Sequence, residues 1–164
     1  MKTEAPHQWR NYLQGVWRRH QDKPEVAALY QSKLIIAEQW LQQWVETHPE
    51  PKFPVTFGNW YTQPGFCRYL DQTLHLPYVG TLADDDQVIL KSGPQRLDQF
   101  AEHLKQEHLV TLKDSSPPVF KPIPIPYKGE KKRYYSYCAT HRIAKFGRQR
   151  LVINYSQADL SDSP

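Results

Sequence analysis

Phe53-Pro54-Val55-Thr56-Phe57-Gly58-Asn59-Trp60-Tyr61 is the stretch on which the fold turns. Phe53, Val55 and Phe57 alternate with smaller or polar residues, a period of two that predicts a short strand. Gly58 and Asn59 end that run, and Pro64 opens a helix-like segment through Gly65-Phe66-Cys67-Arg68-Tyr69-Leu70-Asp71. Tyr78-Val79-Gly80-Thr81-Leu82 predicts a second short strand. The interval leaves room for a crossover helix, which favours a parallel pair with a right-handed connection. In open α/β sheets chemistry gathers where strands end. This strand's end offers a glycine and an amide where a catalytic fold would place an acid.

Upstream, Asp22-Lys23-Pro24-Glu25 has the composition of a helix start, with an acid cap, an early proline and a glutamate at the third position. Val26, Tyr30, Leu34, Ala37, Leu41, Trp44 and Val45 then recur at three- and four-residue steps and predict one long amphipathic helix. Its aromatics, Trp40 and Trp44 included, are expected in the core. His48-Pro49 stops it, because proline disfavours a helical conformation in the residue before it. Residues 1–21 predict a separate helix from the spacing of Trp9, Tyr12, Val16 and Trp17.

Downstream, Val88-Ile89-Leu90 reads as another short strand. Ser92-Gly93-Pro94-Gln95 reads as a capped helix start, with Leu97, Phe100, Ala101, Leu104 and His108 carrying the helix to about Lys113. From Ser115 the composition changes. The proline alternation of Pro122-Ile123-Pro124-Ile125-Pro126 removes backbone donors, so this segment belongs at a sheet edge. Arg133–Thr140 and Arg150–Asn154 are rich in β formers and complete a three-stranded antiparallel meander. The segmentation expected is therefore a helical 1–21, an α/β core over 22–114 and a basic β region over 115–160.

The segment Thr56-Phe57-Gly58-Asn59-Trp60-Tyr61 resembles the second-carboxylate motif of DDE-superfamily insertion-sequence transposases. There a strand of the form apolar-x-Thr-x-Asp-Ser/Asn-Trp-Tyr ends in a metal-binding aspartate. Gly58 stands at that aspartate's position. The resemblance runs on through Tyr78–Leu82 and the tyrosine-rich β segment to about Leu160. It implies an RNase H-like α/β fold of which only the middle is present: helix, strand, crossover helix, strand, then an antiparallel β insertion. For the intact family it also implies Mg²⁺, transposon-end DNA as partner and a dimer. The family's first aspartate lies upstream of anything matched here and its final glutamate downstream. The expectation is a truncated transposase piece without activity of its own.

Charge points to a polyanion. The chain has 164 residues and a net charge of +4. Between Lys128 and Arg150, eight cations and the single acid Glu130 carry +7, leaving −3 elsewhere. Such asymmetry points to a polyanion partner. No apolar run is long enough for a membrane span, and Met1–His7 has no apolar signal region. Cys67 and Cys138, far apart and outside any Cys-x-x-Cys pair, read as reduced thiols of a cytoplasmic protein.

Two-metal phosphoryl transfer needs carboxylates converging from separate elements. With Gly58 at the middle position, no intact catalytic set is expected and no cofactor is expected on this chain. Asp84-Asp85-Asp86 is a cluster, but consecutive loop residues diverge, and a solvated acidic turn explains them. The seven histidines show no ligand spacing. The candidate binding residues are Lys131, Lys132 and Arg133 at one turn and Arg142, Lys145, Arg148 and Arg150 around the next. Lysine and arginine on phosphates give salt-dependent, largely sequence-independent affinity. Tyr134, Tyr135 and Tyr137 could stack on unpaired bases, or pack against their own sheet. In a meander, alternate turns lie at opposite ends, so one compact patch does not follow. The alternative to a transposase remnant is a non-enzymatic nucleic-acid-binding module.

Overall fold

The computed structural model describes residues 6–27, 31–50, 53–113 and 116–164. The protein is mixed α/β. By compactness it divides into one unit of residues 1–56 with 65–79 and another of residues 57–64 with 80–164.

The first unit holds α1 (Pro6–His20), α2 (Pro24–Ala27), α3 (Lys33–Thr47) and α4 (Pro64–Arg68). The single long helix expected from residue 22 onward is therefore two. Ser32 has an extended backbone, and its hydroxyl accepts from the Ile35 amide, so it caps α3 and starts a new helix. Tyr30, expected on the helix face, lies outside the described residues, as do residues 1–5. Helix α3 ends as expected, with His48 as its C-cap. Its aromatics correct the expectation of a core: α3 has no buried residue and Trp40 is 72% exposed. The apolar spacing marks a face, but nothing among the described residues covers it fully.

The buried side chains of this unit come instead from the crossover. Helix α4 runs into a π-helical turn, Tyr69–Thr73, in which the Leu74 amide donates to the Tyr69 carbonyl. Phe66, Cys67, Leu70, Leu74 and Leu76 are all buried there. Burial pushes the Cys67 thiol up from its ordinary pKa, so it stays a protonated, inert group. The Tyr69 hydroxyl donates to Gln42 Oε1 on α3 at 3.2 Å.

The chain passes between units through β1 (Val55–Phe57) and β2 (Tyr78–Gly80), which form a two-stranded sheet. The Val55 amide donates to the Pro77 carbonyl and the Thr81 amide to the Phe57 carbonyl, so both strands ascend together and the pair is parallel, as expected.

The second unit is a five-stranded antiparallel sheet under one helix. Its strands are β3 (Gln87–Leu90), β4 (Gly93–Arg96), β5 (Lys121–Tyr127), β6 (Glu130–Ile143) and β7 (Gly147–Tyr155), and its helix is α5 (Leu97–Lys113). Strand β6 is the spine. It pairs with β7 from Tyr135 to Ile143, with β5 from Glu130 to Ser136, and with β3 at Arg142 and Ile143. The β5-β6-β7 meander forms as expected. Ser92–Gln95 does not start a helix: Gly93–Arg96 pairs back on β3, and Gly93, opposite Leu90, leaves the Lys91-Ser92 turn with φ 124°. Helix α5 begins only at Leu97.

One core joins these elements: Val88, Phe100, Ala101, Leu104, Phe120, Ile143, Leu151, Ile153, Tyr155 and Leu160. The change of composition near residue 115 is thus no boundary between compact units. Helix α5 before it and β5–β7 after it share this core. His108 is buried beside it, with Nδ1 accepting the Phe120 amide at 3.2 Å. That bond requires a neutral ring, and burial holds the His108 pKa below its ordinary value.

Candidate nucleic-acid interface

Strand alternation decides which cations share a surface. Residues directly opposite in an antiparallel pair project from the same face, and successive residues from opposite faces. In β6 and β7 the pairs Tyr137–Ile153, Ala139–Leu151 and Ile143–Gly147 lie on the core side. The pairs Cys138–Val152, Thr140–Arg150 and Arg142–Arg148 therefore lie on the other side, and all six residues are exposed. This outer face is open among the described residues.

Three of the expected cations, Arg142, Arg148 and Arg150, meet there. Arg142 also stands opposite Ile89 of β3, so the outer face, though not the arginine row, continues onto a third strand. The Arg150 Nε lies 3.1 Å from the Cys138 sulfur, which fixes the guanidinium over its own sheet. Lys145 sits at the tip of the β6–β7 turn with φ 68°, an unusual conformation for a side-chain-bearing residue, and is exposed.

Lys131, Lys132 and Arg133 are at the far end of β6, about 30 Å away at 3.3 Å per residue. The registers with β5 and β7 are continuous, so the alternation carries through. Lys132 shares the outer face with Arg142, whereas Lys131 and Arg133 project from the opposite one. The seven cations do not form one cluster. They form an arginine group, a remote group at the ribbon end, and a turn lysine. Lys121, opposite Ser136, joins the outer face as well and was not among the expected residues. Its signal was present in Lys121-Pro122-Ile123-Pro124-Ile125: the same alternation that puts the prolines on one face puts Lys121, Ile123 and Ile125 on the other.

The tyrosines divide by the same rule. Tyr137 faces the core, edge-on to Phe100, with its hydroxyl 2.7 Å from His141 Nε2. Tyr135 packs on the core beside Tyr155. Neither is available to a base, and only Tyr134 remains on the outer face. Desolvation lowers the His141 pKa, which keeps that ring neutral beside the Tyr137 hydroxyl.

The acids lie elsewhere. Asp86 accepts the Ala83 amide at 2.9 Å and closes a turn, while Arg96 and Asp98 pair at 2.7 Å. Gly58 follows β1, its carbonyl accepting from the Tyr61 amide and the Thr62 hydroxyl. Asn59, Trp60 and Tyr61 thus form a tight turn off the strand's end. Among the described residues no three histidine, cysteine, aspartate or glutamate side chains gather as a metal site. Gly58 brings no carboxylate to the end of β1. No helix among the described residues is long and apolar enough to cross a membrane. Comparison of the chain with protein-family models, with curated proteins and with solved structures finds no match in any of the three.

Proposed function

We propose that the outer face of the β6–β7 sheet binds the phosphate backbone of DNA, in a chain derived from a DDE-type transposase that performs no phosphoryl transfer by itself. The observation that carries the binding reading is the row Arg148–Arg142 with Arg150 beside it, open on a face with no acidic residue between them. Such a surface neutralises phosphates without reading bases.

The transposase ancestry is supported by the order of elements: α3, β1, the α4 crossover, a parallel β2, then an antiparallel basic sheet. This is the order that the Asn59-Trp60-Tyr61 resemblance implies for the middle of an RNase H-like fold. The lack of chemistry rests on Gly58 and on the absence of a carboxylate cluster among the described residues. Mg²⁺ has no role in this reading.

The test is fluorescence anisotropy of a labelled 20-base-pair duplex with the whole chain. Arg142→Glu, Arg148→Glu and Arg150→Glu together should weaken binding strongly while leaving the circular dichroism spectrum unchanged. Undiminished binding by that variant would refute the assignment, and Mg²⁺-dependent nicking by the unaltered chain would refute the lack of chemistry.

A further inference from the structure

The distal half of the β5–β6 hairpin is a free-standing ribbon. Strand β7 ends at Tyr155, opposite Tyr135, so residues 130–134 of β6 pair with β5 alone. Residues 121–126 and 128–133 are all exposed, and both faces are uncovered among the described residues. Such a projection needs a reason, since Ile123 and Ile125 remain 43% and 42% exposed.

Its chemistry is specific in two respects. Proline at 122, 124 and 126 cannot donate, so Lys121, Ile123 and Ile125 supply the ladder's donors and the ribbon's outer edge carries no amide at those prolines. A further strand therefore cannot add there, and the fixed proline φ stiffens the ribbon. The cations are also distributed over both faces: Lys131 and Arg133 on the proline face, Lys121 and Lys132 on the isoleucine face, and Lys128 at the turn. Glu130 is the only acid from Lys121 to Tyr134.

We infer that this ribbon enters the major groove of duplex DNA. The inference rests on the reading of the adjoining arginine face as a phosphate-binding surface. A B-form major groove, about 12 Å wide, admits a two-stranded β-ribbon. Its two walls are phosphate rows, which suits cations on both faces better than a cationic patch on one. The outer-face arginines, about 30 Å along β6, then lie roughly one helical turn away. The A-form major groove of an RNA duplex is too deep and narrow for the same insertion.

The experiment compares the whole chain on a B-form DNA duplex, an RNA duplex of the same sequence, and a single DNA strand of the same length, at one salt concentration. Binding to the DNA duplex should be at least about tenfold tighter than to either alternative, because only it offers an open major groove. Lys131→Gln with Arg133→Gln should shrink that preference while leaving residual, salt-sensitive binding to all three. Equal affinity for the three ligands would overturn the groove inference and leave the phosphate-binding reading standing. Binding to none would overturn both.

Discussion

Arg142 stands directly opposite Arg148 across the β6–β7 ladder, both on the exposed face. Like charges so placed repel, and no ion pair to either is found among the described residues. A sheet optimised for stability alone would set an acid against one of them. A phosphate approaching from outside would neutralise both, which is the physical basis of the proposed phosphate contact.

Arg148→Glu should therefore separate stability from binding. It converts a repulsive cross-strand pair into an attractive one, raising stability by about 0.2–1 kcal/mol. DNA affinity should fall in the same variant. Thermal melting and anisotropy on one preparation check both signs; a variant that is less stable and binds as before would contradict the placement of Arg148.

Acid should loosen the second unit through His108. Its ring is neutral in the folded protein, its pKa lowered by burial, and Nδ1 holds the Phe120 amide. As pH falls, the unfolded chain takes up that proton first, so stability is complete above about pH 6.5 and declines below it. The lowered His141 pKa acts in the same direction. His108→Leu should cost about 1–3 kcal/mol at neutral pH by orphaning the Phe120 amide. It should also flatten the acid limb. Urea titrations between pH 7.5 and 5 show whether it does.

Two glycines should differ in their tolerance of a side chain. A Cβ at Gly80 would lie 2.7 Å from the Phe57 ring and 2.9 Å from the Thr62 hydroxyl, whereas one at Gly58 meets nothing within 4 Å. Gly80→Ala should destabilise by about 1–3 kcal/mol through overpacking. Gly58→Asp should fold as the parent does, and it should gain no nuclease activity, because one added carboxylate does not by itself make the converging set that two-metal chemistry needs. Melting curves and a plasmid-nicking assay report the two outcomes.

In the first unit, Ser32→Ala should cost about 1 kcal/mol by removing the cap on the Ile35 amide. Trp40→Ala should change stability by no more than about 0.5 kcal/mol, because the ring is largely exposed. Chemical denaturation ranks the two.

Much of this was legible in local pattern. The proline alternation announced an edge strand, the period-two run at Val55–Phe57 a strand, and His48-Pro49 a helix end. What failed did so where tertiary contacts or a turn decided. Ser92–Gln95 carries cap-like residues, yet Gly93 at positive φ makes it a hairpin return. The spacing of Trp40 and Trp44 shows which side of α3 is apolar but not whether anything packs on it. The candidate binding residues are visible as a charge run, while their division between two faces needs the register of β6. Tyr135 and Tyr137 were indistinguishable from Tyr134 until the alternation was anchored by Ile143 in the core.

The most direct test of the open arginine face is the salt dependence of binding to a DNA duplex. Each neutralised phosphate contributes a slope of about −0.9 to log K against log salt, so losing three arginine contacts should flatten the slope by about 2.7. The parent chain and the Arg142→Gln, Arg148→Gln, Arg150→Gln variant, measured in parallel, should differ by that amount. Identical slopes would mean that the three arginines touch no phosphate.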